Sequence, residues 1–140
     1  MPNIAVEDTI ESSADAAWAK LADFGGLGAW APGVTECKLE GSGVGSVRRI
    51  TMGGMEIAER LESLDDAART LTYSITEGPM PTENYLAKIV VTSTGDASCA
   101  ISWSASFDAP GLSEEQAAGV AQGVQGSYQG MVDALKQAVS

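Results

Sequence analysis

The chain has 140 residues, 44% of them hydrophobic, enough for a buried core and too apolar for a disordered chain. Nineteen acidic residues against eight basic ones give a formal net charge of −11, a surface that repels phosphate backbones and anionic headgroups, so neither nucleic-acid nor membrane binding is expected. There is no histidine, no Cys-x-x-Cys and no glycine-rich phosphate loop; Ser-His-Asp and Cys-His chemistry and the usual zinc sites are absent, and no metal or cofactor is expected.

Asn3 to Ile10 alternates and predicts a first strand. Ser12 then precedes a short amphipathic helix over 14–22, in which Ala14, Trp18 and Leu21 share a face, Ser12 is the expected cap and Asp15 suits the first turn. The segment Gly25 to Gly33 is broken by Gly and Pro and reads as a second, very short helix or turn anchored by Trp30. From Val34 to Phe107 the period is two. The expected strands are Val34–Glu40, Ser46–Met52, Glu56–Leu64, Thr70–Glu77, Asn84–Thr94 and Ser98–Phe107. The links between them are too short for parallel crossovers, so the sheet is expected to be an antiparallel meander. Ser113-Glu114-Glu115-Gln116 has the form of a capping box and opens a long helix to about Ala138. Its apolar face is Ala117, Val120, Ala121, Val124, Tyr128, Met131, Leu135 and Ala138.

A meander of this size curls, and only the last helix is long enough to cover its concave face. The expected fold class is α+β: a seven-stranded antiparallel sheet gripping a long C-terminal helix, with two short helices after strand 1, forming one domain over 1–140. No stretch approaches the ~20 apolar residues of a membrane span. Met1-Pro2-Asn3-Ile4 lacks the basic start and apolar run of a secretory signal, and with two cysteines the expected location is the reducing cytoplasm.

This order resembles the START/Bet v 1-like (SRPBCC) superfamily, which includes bacterial polyketide cyclase/dehydrase-like proteins and, more distantly, the plant abscisic-acid receptors. The matching strings are Trp30-Ala31-Pro32-Gly33, Gly45-Ser46-Val47-Arg48, Glu59-Arg60-Leu61-Glu62 with Asp65, Tyr73-Ser74-Ile75, and Gly78-Pro79-Met80-Pro81 with Asn84-Tyr85, followed by Trp103 and Asp108-Ala109-Pro110. The resemblance covers nearly the whole chain and implies a helix-grip fold. It also implies that Glu59 and Tyr85 line a ligand pocket. It implies little about function, because the superfamily holds carriers, receptors, storage proteins and enzymes. The receptors' gate has only Gly53-Gly54-Met55 in its place here, and their ligand-binding lysine has no clear counterpart, Lys38 being the nearest.

Strand phase gives the inner face independently. Ile101, Trp103, Ala105 and Phe107 face in, as do Tyr85, Ala87, Ile89 and Val91, then Leu71, Tyr73 and Ile75, and on the carboxylate-bearing strand Ile57, Glu59, Leu61 and Ser63. A carboxylate among apolar walls must bind a ligand hydroxyl, shuttle a proton or pair with a cation; Arg48 or Arg49 at the rim is the structural alternative. Tyr73 and Tyr85 either pack with a satisfied hydroxyl or touch ligand. The candidate ligand-binding residues are therefore Trp30, Ile50, Met52, Glu59, Leu61, Tyr73, Ile75, Tyr85, Ala87, Ile89, Trp103, Ser127 and Met131. Entrance is expected between Gly53-Gly54, Gly78–Thr82 and the Trp30 segment. Gly119, Gly123, Gly126 and Gly130 lie on one side of the last helix, for close packing or for cavity room, close packing being favoured.

The expected function is binding of a small, mostly apolar molecule. The alternative is a polyketide cyclase/dehydratase-type enzyme with Glu59 and Tyr85 as acid–base groups. A regulator acting through a protein partner is a third reading, and a homodimer is compatible with the sequence.

Overall fold

The structure, a computed structural model, describes residues 3–140; Met1 and Pro2, part of the N-terminal stretch read above, lie outside the described residues. Strand β1 (Asn3–Ile10) leads into helix α1 (Ala14–Ala22) and a 3-10 helix (Phe24–Ala29). Six strands follow: β2 (Val34–Glu40), β3 (Val47–Met52), β4 (Met55–Asp65), β5 (Thr70–Glu77), β6 (Glu83–Gly95) and β7 (Ser98–Asp108), and helix α2 (Glu114–Ala138) ends the chain. The sheet is antiparallel with the order β1-β7-β6-β5-β4-β3-β2, so each link after β2 is a hairpin and only β1 returns, to pair with β7.

The α1 cap falls one residue later than expected. Ser13 accepts the Ala16 amide, while the Ser12 hydroxyl donates to the Val139 carbonyl and ties the start of α1 to the end of α2. Both serines suit a cap, and the long-range bond decides between them. The α2 capping box forms in full: Ser113 Oγ accepts the Gln116 amide, and the Ser113 amide donates to the Gln116 side chain.

Two irregularities in β4 set the inner face. The β4–β5 register shifts between Ala58 and Glu59 and again between Leu61 and Ser63. Through the first, Ala58 and Glu59 are both buried in succession. Through the second, the phase inverts: Ser63 is exposed and bonds Thr72, whereas Leu64 packs against the core. Strict alternation had placed Ser63 inside and Leu64 outside, and an extra residue in one strand is what exchanges them.

The core is uneven along α2. Its last turns are tied down: Val132 and Leu135 are fully buried, and Lys136 and Gln129 both reach Asp8 on β1. Each such buried aliphatic side chain contributes about 1.5–3 kcal/mol. Helix α1 packs on β6 and β7, and the 3-10 helix on β2 and β3; the two meet over a small void that Leu71, Ile89 and Trp103 also border. In the first turns of α2 only Val124 and Tyr128 are buried before Met131.

The four α2 glycines do not mark close packing. A methyl group built on Gly119, Gly123, Gly126 or Gly130 meets nothing within 4 Å. Gly123 borders open space between α2 and the sheet, which leaves cavity room as its reading; for the other three the structure offers no steric reason.

Candidate functional site

Between the sheet and the first half of α2 lies a cavity of about 410 Å³. That is within the ordinary range for a small-molecule pocket. Strands β3, β4 and β5 supply Ile50, Met52, Ile57 and Ile75, and α2 supplies Val120, Val124 and Met131. The mouth is framed by Met55 at the start of β4, by Pro79, Met80 and Pro81 of the β5–β6 link, and by Gly123 and Ser127 of α2. Met55 is 48% exposed.

Polar groups gather at the inner end. Arg48 and Glu59 are opposite each other on β3 and β4. Arg48 Nε and Nη2 both donate to Glu59 Oε1, at 2.8 and 2.7 Å, with the side chains 6% and 12% exposed. Nη1 donates to the Phe24 carbonyl of the 3-10 helix at 3.2 Å. The guanidinium also lies 4.0 Å from the Phe24 ring centre and 5.1 Å from that of Tyr73. Two charged hydrogen bonds to one carboxylate oxygen, a carbonyl and two aromatic faces supply much of what a buried guanidinium requires. Arg49, one residue on, points outward and pairs with Glu40 and Glu77.

Beside the ion pair, Tyr73, Tyr85 and Tyr128 meet through their hydroxyls. Trp103 Nε1 donates to the Tyr73 oxygen at 3.1 Å, Tyr73 donates to Tyr128 at 3.4 Å, and Tyr85 and Tyr128 share a further hydrogen bond. The rings stack in pairs, Trp103 on Tyr128 and Tyr85 on Phe107. Tyr85 is placed by a break in the β6–β7 ladder between Glu83 and Leu86. There Asn84 takes a positive φ of 54° and its amide bonds Asp108; asparagine is among the residues that tolerate this region. Burial pushes all three phenols well above the ordinary tyrosine value, with the Glu59 charge adding to the rise at Tyr73 and Tyr85. They are hydrogen-bond donors, not bases, at neutral pH.

Of the expected ligand-binding residues, Ile50, Met52, Glu59, Tyr73, Ile75, Tyr85, Trp103, Ser127 and Met131 all border this cavity. Trp30, Leu61, Ala87 and Ile89 do not. Leu61, Ala87 and Ile89 face inward as read but are packed in the core, with Ile89 beneath the short helices. Trp30 itself sits by a small void with Phe24, Leu27 and Arg48, and of its segment Leu27 borders the cavity. Strand phase gives the side of the sheet; it does not tell the filled half from the open half.

One polar member was read only as a rim partner of Glu59, and another was not read as part of the site. Arg48 was legible: once Ile50 and Met52 face inward, period two carries Arg48 in with them, making Glu59's partner buried instead of a rim residue. Tyr128 was assigned only to the apolar face of α2. Its hydroxyl lies opposite Tyr73 and Tyr85, a juxtaposition that depends on how α2 is rotated over the sheet.

An antiparallel sheet gripping a long C-terminal helix, with a cavity between them, defines the helix-grip fold. The chain belongs to the polyketide cyclase / dehydrase and lipid transport family, whose model matches residues 1–140. It is similar to the protein XoxI from Bacillus cereus, with 32% identity and a TM-score of 0.88 over 99% of this chain and 96% of that one. It is also similar in fold to norcoclaurine synthase from Thalictrum flavum, with 24% identity and a TM-score of 0.79 over 99% and 86% of the two chains. The Zhui aromatase/cyclase from Streptomyces sp. R1128 has the same fold at 17% identity, with a TM-score of 0.83 over 99% and 93%. No curated protein matches the chain in sequence.

Proposed function

We propose that the protein binds one small, mostly apolar organic molecule in the cavity between the sheet and α2. The observation that supports this most directly is the cavity itself: about 410 Å³, walled by aliphatic, methionine and aromatic side chains, with its polar groups confined to one end. Ile50, Met52, Ile75, Val124 and Met131 would hold the apolar body, and the tyrosines would fix its orientation. The family's description, which joins cyclases and dehydrases with lipid transport, is compatible with this reading. We place its work in the cytoplasm, where free thiols such as Cys37 and Cys99 persist.

The cyclase/dehydratase alternative draws on the same family and on Glu59 and Tyr85 sharing one cavity. In that reading they would move protons. Against it stand the commitment of Glu59 to Arg48 and the firmly protonated state of the phenols. Native mass spectrometry of protein purified from its own host tests the binding reading. One small-molecule adduct per chain, released unchanged, is expected. A captured molecule converted to a product by fresh wild-type protein would favour the enzyme instead.

A further inference from the structure

Tyr73, Tyr85 and Tyr128 are the three tyrosines of the chain, and their hydroxyl protons outnumber the bonds that use them. Three O–H groups meet in two contacts, Tyr73 with Tyr128 and Tyr85 with Tyr128. Each contact consumes one proton. The Trp103 N–H consumes none, because it donates into the cluster at Tyr73. Among the described residues no other acceptor takes a bond from these hydroxyls. Whichever way the three protons are arranged, one remains without a protein acceptor, at the end of a chain of donors that polarise one another. All three residues border the cavity.

The charges around them balance. Arg48 and Glu59 are the charged side chains lining the cavity, and they cancel. Arg48 donates three of its five N–H groups to protein oxygens, and its charge is met by Glu59. A ligand carboxylate would therefore be buried next to Glu59 with no free cation to meet it. A ligand hydroxyl would accept the spare proton but bring one of its own, leaving the excess of donors in the tyrosine cluster unchanged. A carbonyl oxygen adds an acceptor and nothing else.

We propose that the spare phenol proton is the ligand-orienting donor of this site, and that the natural ligand is an uncharged, largely apolar molecule with a carbonyl oxygen at the end that enters first. This rests on the cavity-binding reading above and narrows it to a chemical class. Because the phenols stay protonated well beyond neutrality, the donor is present across the physiological range.

The test uses four naphthalenes of one shape: 2-acetylnaphthalene, 1-(2-naphthyl)ethanol, 2-naphthoate and 2-ethylnaphthalene. Their affinities are measured calorimetrically at neutral pH. The ketone should bind about tenfold tighter than the hydrocarbon, the size of one net hydrogen bond, and tighter than the alcohol and the carboxylate. The infrared carbonyl band of the bound ketone should lie at lower wavenumber than in hexane. In Tyr73→Phe/Tyr85→Phe/Tyr128→Phe that band should return toward its hexane position while the hydrocarbon still binds, which shows the cavity intact. A lowered band that survives the triple substitution would assign the donor to Arg48 and overturn the proposal. So would equal wild-type affinity for ketone and hydrocarbon, or a preference for the alcohol or carboxylate; these wild-type outcomes leave the cavity reading standing. Failure of all four to bind would overturn both.

Discussion

Glu59→Gln separates a structural carboxylate from one held in reserve for ligand. Its Oε1 receives two charged hydrogen bonds from Arg48, in a pair with side chains 6% and 12% exposed. A glutamine oxygen still accepts, but the guanidinium is left buried without a counter-charge. Breaking a buried pair on one side costs about 3–5 kcal/mol, a large share of the 5–15 kcal/mol typical of a domain. At about 3 °C per kcal/mol for a chain of this size, the melting temperature should fall by about 10–15 °C. Arg48→Met combined with Glu59→Gln should recover much of the loss, because both charges are then gone and the aromatic faces of Phe24 and Tyr73 accept an apolar chain. The assay is urea unfolding of the wild type, both single variants and the double, read as a double-mutant cycle. A Glu59→Gln protein within ~0.5 kcal/mol of wild type, or additive single effects, would refute the reasoning and return Glu59 to the ligand.

Alkaline titration followed by phenolate absorbance should show no ionisation near pH ~10, where free phenols titrate, until the protein unfolds; all three should then appear together. The sign follows from raised native values: neutral phenols favour the fold below pH ~10, and that stability is lost as pH rises through and above it. A tyrosine titrating freely in the native protein would contradict this. Asp8 is held below the usual carboxylate range by its bond from Lys136 and by the Thr9 amide. Asp8→Asn should therefore cost up to ~1 kcal/mol at pH 7, and the gap should close as pH falls through ~4 and below; thermal melts at several pH values check it. Gly126→Ala meets open space on an exposed helix face and should stabilise by up to ~1 kcal/mol, measured by the same melts. Gly123→Trp should leave the melting temperature near that of wild type while abolishing 2-acetylnaphthalene binding, since its side chain would fill the cavity mouth.

The architecture was legible because its determinants are local. Period-two runs joined by short glycine-rich links leave an antiparallel meander as the economical arrangement, and Ser113 with Gln116 marks the start of α2 on its own. The site was legible by face and not by depth. Alternation turned Glu59, Tyr85 and Trp103 inward correctly, but Leu61, Ala87 and Ile89 have the same phase and are simply core. Which half of the concave face stays open depends on where the short helices and the last turns of α2 settle, and those contacts join residues far apart in the chain, such as Ser12 with Val139 and Asp8 with Lys136. The inversion at Ser63 and Leu64 was hidden for a related reason: a bulge is defined against the partner strand, and one strand's pattern does not show it.

The most direct test of the account is to locate a bound probe. With isotope-labelled methyl groups and 2-acetylnaphthalene at saturation, intermolecular nuclear Overhauser effects should link the probe to Ile50, Met52, Ile75, Val124 and Met131, with its carbonyl end nearest the three tyrosines. Contacts confined to the outer face of the sheet, around Leu86 and Ala5, with those cavity methyls unchanged, would contradict it.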